Sequence, residues 1–247
     1  AFTSQELVGR LQEFLDDRVN DDVLRQKYFP RSRSRRFPRG DTRGWKLREA
    51  REFLRERAKR VPDLETWIRP IHYRAYDLRH IIWVEELIDW PRRQVMASLE
   101  SGRDWALVAR RQSPVGQSAN FFTATRQLVT DGVLRSDNRG NETVFPLRWQ
   151  SREGTLESNL NPVFEACVFK HLRGSGDQGH SRCGGLSAEH RESLLGYVFA
   201  WLHCREYQHR FRHQLVRRYP RVPLVKDTDF FAETVSYTHL TLPTMEL

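Results

Sequence analysis

Residues 69–83 read RPIHYRAYDLRHIIW and mark the point at which the chain changes from helical to strand-like patterning. Tyr73, Tyr76 and Trp83 are interleaved with Arg69, Arg74, Arg79 and His80, so apolar anchors and phosphate-seeking cations share one short segment. The mixture fits a nucleic-acid platform. On spacing alone it fits better the edge of a β-domain whose arginines lie across aromatic rings. Downstream, Ile81-Ile82-Trp83-Val84, Trp105-Ala106-Leu107-Val108, Phe121-Phe122, Val133-Leu134 and Val144-Phe145-Pro146-Leu147 are short apolar or β-branched runs separated by turn formers. This spacing predicts a β-rich stretch that closes at Trp149, with one helix over residues 92–99 behind Pro91.

On either side of that stretch the pattern is helical. Residues 3–29 place Leu7, Leu11, Phe14 and Leu15 on one face behind a Thr3–Glu6 capping box, break around Asn20, and resume with Val23, Leu24 and Tyr28. Residues 45–61 repeat Leu47, Ala50, Leu54, Ala58 and Val61 at helical steps, with Arg48, Glu52, Glu56 and Arg60 facing outward. Between these helices, RSRSRRFPRG at residues 31–40 has no periodicity and reads as a mobile arm or exposed loop. Towards the other end, a short helix over 162–172 is expected, with Asn161 as its cap. A polar, glycine-bearing loop follows at 174–185, and Ser187 caps a long helix bearing Leu194, Leu195, Val198, Phe199 and Leu202. That helix continues or restarts through Tyr207, Phe211 and Leu215. One more helix begins at Asp227 and is expected to break off after Val235, where SYTHLTLPTMEL has no helical pattern and reads as a non-native tail.

The 247 residues carry a formal charge of +9, and its placement says more than its size. Residues 31–60 hold 13 Lys and Arg against 4 Asp and Glu, while the rest of the chain balances at 28 of each. An anionic partner is implied, with a solvated basic linker as the plain alternative. No apolar run approaches the ~18 residues that span a bilayer. Cys167, Cys183 and Cys204, odd in number and irregular in spacing, make no disulfide framework, so a reducing cytoplasm is the expected compartment. The opening AFTSQELVGRLQEFL is an amphipathic helix rather than a signal peptide, which reads as a start inside a longer protein.

Several motifs lack the context their chemistry requires. The G-x-G-x-x-G match at residues 174–179 follows a helix and opens none, unlike a dinucleotide fingerprint. Cys167 with His171, and His180 with Cys183, have zinc-like spacing, but Cys167 is wanted by an apolar helix face and the second pair sits in a glycine loop. Asn161-Pro162-Val163-Phe164 has Val163 where the amino-methyltransferase tetrapeptide has its second proline, and no Gly-rich cofactor loop precedes it. No phosphate loop and no nuclease triad are present. No catalytic residue, metal site or cofactor is expected in this stretch of chain.

The ordered segments FTSQELVGRLQEFL, WKLREAREFL, IRPIHYRAYDLRHIIW, DWPRRQVMASL, DWALVARRQ, FFTATRQLVTDGV, VFPLRW, NLNPVF and LLGYVFAWLHCREYQHRFRHQLVRRYPRVPLVKDTDFFAETV resemble the C-terminal part of type ISP restriction–modification enzymes. These are single-chain bacterial proteins that combine nuclease, helicase, adenine methyltransferase and target-recognition domains. The resemblance runs from Phe2 to Val235, with Ala75-Tyr76 standing where the family pattern has Pro-Phe. It implies an α+β architecture: a helical connector with a basic arm over residues 1–62, a β-rich target-recognition domain over 63–150, its C-terminal helical part over 151–235, and the tail at 236–247. It also implies duplex DNA and the catalytic domains of the same parent chain as partners. S-adenosylmethionine, and ATP with Mg, would belong to the parent rather than to this fragment.

On that reading, phosphate contacts come from the arm residues Arg33, Arg35, Arg36, Arg39 and Arg43. Base reading calls for bidentate side chains, arginine for guanine and asparagine or glutamine for adenine. Three clusters offer them: Arg110, Arg111 and Gln112; Arg126 and Gln127; Asn138, Arg139 and Asn141. Residues 69–83 then become the first strand and the hinge leading into the recognition domain, with Asp77 paired to Arg79. A protein-interaction or structural module with a basic arm, and an RNA-binding fragment stacking bases on Tyr73 or Tyr76, are the alternatives.

Overall fold

Helix α1 (Ser4–Leu15) starts where the sequence places its cap. Thr3 Oγ1 accepts the Glu6 N–H at 3.2 Å, and the Glu6 carboxylate accepts the Phe2 N–H at 3.1 Å, so the return bond reaches one residue further back than in the usual box. The break at Asn20 is itself a cap: its Oδ1 accepts the Val23 N–H at 2.9 Å and opens α2 (Asp21–Tyr28). Helix α3 (Leu47–Arg60) turns Leu47, Ala50, Arg51 and Leu54 inward. The structure is a computed structural model, and it describes residues 1–32, 36–112, 121–134, 142–173 and 186–241.

Strands β1 (Ile68–Arg74) and β2 (Asp77–Ile82) form an antiparallel hairpin with Ile68 opposite Ile82 and Arg74 opposite Asp77. Its core is shared with the helices. Leu11 of α1, Leu54 of α3, Trp67 and Val84 make one buried cluster, with Phe14, Phe53, Ile82 and Leu87 packed against it. Burying each such side chain is worth about 1.5–3 kcal/mol, which ties hairpin and helices into one unit. The chain divides after that unit, into Ala1–Arg93 and Gln94–Leu247. Helix α4 (Arg93–Met96) and a 3-10 turn (Ala97–Leu99) occupy the helical segment expected over 92–99. Arg92 sits outside the helix at φ +47°, and Trp90 before Pro91 at φ +61°.

In the second unit β3 (Ala106–Arg110) lies between β4 (Phe122–Thr125) and β6 (Glu142–Pro146), antiparallel to both. Two strand expectations shift. Val133-Leu134 lies in a turn, and the nearby strand is β5 (Leu128–Val129). The Glu142 carboxylate accepts the Gly132 N–H at 2.6 Å, and Gly132 adopts φ +78°, which fixes that turn. The β-structure also runs past Trp149: β7 (Arg148–Gln150) and β8 (Leu156–Ser158) form a hairpin whose turn is closed by the Ser151 N–H on the Thr155 carbonyl at 2.8 Å.

Helix α5 (Pro162–Arg173) is capped by Asn161, whose Oδ1 accepts the Val163 and Phe164 N–H groups at 2.9 and 3.3 Å. Ser187 caps α6 (Ala188–His203) by accepting the His190 N–H at 3.2 Å. Two short helices, α7 (Arg205–Arg210) and α8 (Arg212–Leu215), follow, and α9 (Thr228–Thr241) is the last described element. The expected stop after Val235 does not occur: the backbone stays helical through Thr241, so the first half of the expected tail extends α9. Residues 242–247 lie outside the described residues. Val168, Leu194, Tyr197, Phe231 and Val235 make one core, with Tyr197 and Phe231 stacked at 4.7 Å. Ala109, Phe122, Leu202, Tyr207 and Leu215 make another, which joins the sheet to the helices. The result is α+β, as the sequence predicts. No described helix is long and apolar enough to cross a membrane.

Candidate nucleic-acid interface

Arg33 and Arg35 lie outside the described residues, while Arg36, Arg39 and Arg43 are exposed on a tightly held turn. Gly40, at φ +92°, lies against the Phe29 ring so closely that an added Cβ would sit 2.6 Å from it, and Phe29 in turn packs on Trp45 at 5.7 Å. Arg25 Nη1 donates to the Arg39 carbonyl at 2.7 Å and to Asp41 Oδ1 at 2.5 Å. The same Asp41 oxygen accepts the Leu47 N–H at 3.1 Å, capping α3 from six residues away because Lys46 offers no side-chain cap. Thr42 Oγ1 accepts the Gly44 and Trp45 N–H groups at 3.2 and 3.0 Å. Of the two expectations for this segment, mobile arm or exposed loop, residues 36–40 take the second, as a held turn that with Arg43 makes a platform for three arginines. Among the described residues none of the three is in an ion pair.

Asp41 is the keystone of that platform. Burial opposes its ionisation, but the Arg25 hydrogen bond, the Leu47 N–H and the charges of Arg25 and Lys46 outweigh it and hold the carboxyl below the usual carboxylate range. A depressed pKa contributes stability at pH values above the unfolded-state value and loses it as pH falls through the folded-state one. Asp41→Ala is expected to cost about 3 kcal/mol at neutral pH, because it leaves Arg25 without its buried partner. The difference from the parent should narrow as pH drops below the carboxylate range, in urea titrations at several pH values. A constant difference would mean that the ion pair contributes nothing.

The base-reading candidates separate by exposure. Arg110 is buried, 8% exposed, with its guanidinium 3.9 Å from the Glu142 carboxylate and its Nε donating to the Gln112 carbonyl at 3.3 Å. It braces the sheet and does not face solvent as a base reader must. Arg111 and Gln112 are exposed at the end of β3. Arg126 lies over the Trp105 ring at 4.5 Å with Glu192 at 3.4 Å, and neighbouring Gln127 is half-buried. Asn138, Arg139 and Asn141 lie outside the described residues, as do the side chains of His171, His180 and Cys183.

In the hairpin, Asp77 and Arg79 pair as expected, with three contacts of 2.8–3.1 Å. The Arg79 hydrogen bond is the main reason the Asp77 carboxyl is held low. Residues two apart on a strand share a face, and Arg79 also lies 3.9 Å over the Tyr73 ring and 4.4 Å over Phe2. Arg74 lies over Tyr73 too, at 4.3 Å, so that ring is covered by arginines. Two other aromatics are open: Tyr76 at the hairpin tip, 84% exposed with φ +62°, and Trp90, 77% exposed. A Cβ on Gly44 would approach the Trp90 indole nitrogen to 3.6 Å, so Trp90 stands beside the arginine platform. The sequence carries no signal for this: a residue before proline is expected to be extended at negative φ, whereas Trp90 adopts φ +61°.

The Type ISP C-terminal specificity domain family matches residues 1–237. A chain of a DrdV–DNA complex solved by cryo-electron microscopy superposes with a TM-score of 0.55 at 17% identity, over 98% of this chain and 21% of that one. A nuclease-deletion mutant of the Type ISP restriction-modification enzyme LlaGI, in complex with a DNA substrate mimic, gives 0.45 at 18% identity over 77% of this chain and 13% of that one. The ATP-dependent Type ISP restriction-modification enzyme LlaBIII bound to DNA gives 0.47 at 14% identity over 73% and 11%. No curated protein matches the chain. The chain spans about a fifth of the length of the DrdV chain. With the match extending from residue 1 to residue 237, the chain belongs to the Type ISP C-terminal specificity domain family.

Proposed function

We propose that this chain is the DNA-recognition part of a longer restriction–modification enzyme and that it binds duplex DNA. The observation that carries the reading is the clamped turn at residues 36–46, which presents Arg36, Arg39 and Arg43 on a backbone fixed by Arg25, Asp41 and Thr42. Cations held on a rigid frame lose little freedom when they meet phosphates. Family membership and the DNA-bound state of the DrdV relative support the same reading. On this reading the chain holds DNA so that one adenine can be flipped into the pocket of a neighbouring methyltransferase domain. S-adenosylmethionine, ATP and Mg would serve those other domains.

Sequence discrimination falls to Arg111, Gln112, Arg126 and Gln127 among the described candidates, with Asn138, Arg139 and Asn141 kept from the sequence. Arg111→Ala is expected to cost about 1–3 kcal/mol on the preferred site and to relax one base position, measured by selection from a random-duplex pool followed by titration. An equal loss on every duplex would make Arg111 a backbone contact. The exposed ring of Tyr76 favours a second reading, binding of single strands by base stacking. Competition between duplex and single-stranded oligonucleotides separates the two: the duplex should win.

A further inference from the structure

Residues 205–221, REYQHRFRHQLVRRYPR, carry Arg205, Arg210, Arg212, Arg217, Arg218 and Arg221 against one acid, Glu206. All six arginines are exposed, and among the described residues none is in an ion pair. Other arginines of the same unit are paired: Arg126 with Glu192, Arg148 with Asp104 and Arg191 with Glu165. Arg103, Arg111 and Arg152 are exposed and outside any ion pair among the described residues, but they stand singly, whereas α7, α8 and the turn after them gather six such arginines against one acid.

That turn is held by tyrosines from its own unit. Tyr207 donates its hydroxyl to the Arg221 carbonyl at 3.0 Å. Tyr197 donates to the Pro223 carbonyl at 2.6 Å and accepts the Val225 N–H at 3.2 Å. The Tyr219 ring meets Phe145 edge-on at 5.4 Å, and its hydroxyl is hydrogen-bonded to Thr143 on β6. Leu215 anchors α8 in the core. Between these supports lies an open cleft of about 440 Å³, lined by Phe211, His213, Arg217, Arg218, Tyr219 and Arg221 among others. Exposed guanidiniums without acidic partners, on a backbone fixed at both ends, make a site preorganised for anionic oxygens.

We propose that residues 205–221 form a second phosphate-contacting surface, which grips the sugar–phosphate backbone of duplex DNA through Arg217, Arg218 and Arg221. It rests on the DNA-recognition reading above but uses residues that reading does not assign. Such contacts position the duplex without reading it, so they add affinity on every sequence.

The test is titration of this chain with fluorescent duplexes of unrelated sequence at several salt concentrations. Replacing Arg217, Arg218 and Arg221 together by alanine is expected to lower the slope of log K against log salt by about 2.7, equally on all duplexes, while the triple lysine variant keeps most of it. Phenylglyoxal labelling of the unmutated chain gives a readout that needs no variant: DNA should protect these three arginines and leave exposed Arg152 reactive. An unchanged slope, or full labelling of all three in the presence of bound duplex, overturns this second surface and leaves the DNA reading standing. Failure of the unmutated chain to bind any duplex overturns both.

Discussion

Replacing Arg51 with methionine is expected to lower the unfolding free energy of the unit Ala1–Arg93 by about 4 kcal/mol. Arg51 is only 4% exposed, and each arm of its guanidinium has a partner. Nε donates to the Phe14 carbonyl at 2.9 Å, Nη2 to the Asp16 carbonyl at 2.9 Å and Nη1 to Asp21 at 2.6 Å. The two carbonyls lie where α1 ends, and a helix end leaves such groups without partners of its own. A cation there also faces the negative end of the helix dipole. Methionine keeps much of the volume but strands two carbonyls and a carboxylate at once, and each unsatisfied buried group costs about 1–3 kcal/mol. Asp21 is a third exposed and recovers part of its loss in water, which keeps the total below the plain sum. Urea unfolding followed by hydrogen exchange of the α1 and α3 amides, which reports on this unit by itself, measures the change. A loss under about 1 kcal/mol would mean that water replaces Arg51 at the α1–α2 junction.

Helices and caps are legible in the sequence because both signals are local: apolar residues at three- and four-residue steps, and Thr3, Asn161 and Ser187 placed just before them, while Asn20, read only as a break, proves to be a fourth cap. Short strands carry less information, which is why β5 and the β7–β8 hairpin escape a reading that expects a strand at Val133-Leu134. Arg110 illustrates a signal that is present and outweighed. Ala106, Val108 and Arg110 share one face of β3 by simple alternation, and the first two are plainly core, so Arg110 follows them inward to Glu142. Charge is legible as a sum and misleading as a location. Two charges of the surplus in residues 31–60 are neutralised from outside that segment, Arg51 by Asp21 and Arg55 by Asp17, while others pair within it, Arg48 with Glu52 and Lys59 with Glu56. The run at 205–221 is hidden when it is averaged with acidic stretches elsewhere in the chain.

Those pairings define what remains for DNA in the first unit, and so the second large effect. Changing Arg36, Arg39 and Arg43 together to alanine is expected to lower the salt slope of duplex binding by about 2.7, near 0.9 for each phosphate no longer neutralised. Between 50 and 200 mM salt the parent should then lose about 40-fold more affinity than the variant does. The loss should be the same on any duplex, since backbone contacts carry no sequence information, and this separates it from the single-position effect expected of Arg111. Stability should hardly change, because all three side chains are exposed and outside any ion pair among the described residues, whereas the clamp uses only the Arg39 carbonyl. Asp41→Ala supplies the converse: it loosens the frame but keeps the charges, so it should reduce affinity while preserving most of the salt slope. If the triple variant and Asp41→Ala instead shift affinity and slope alike, the arginines are not contacting phosphates from a fixed frame, and the clamped turn serves only to cap α3.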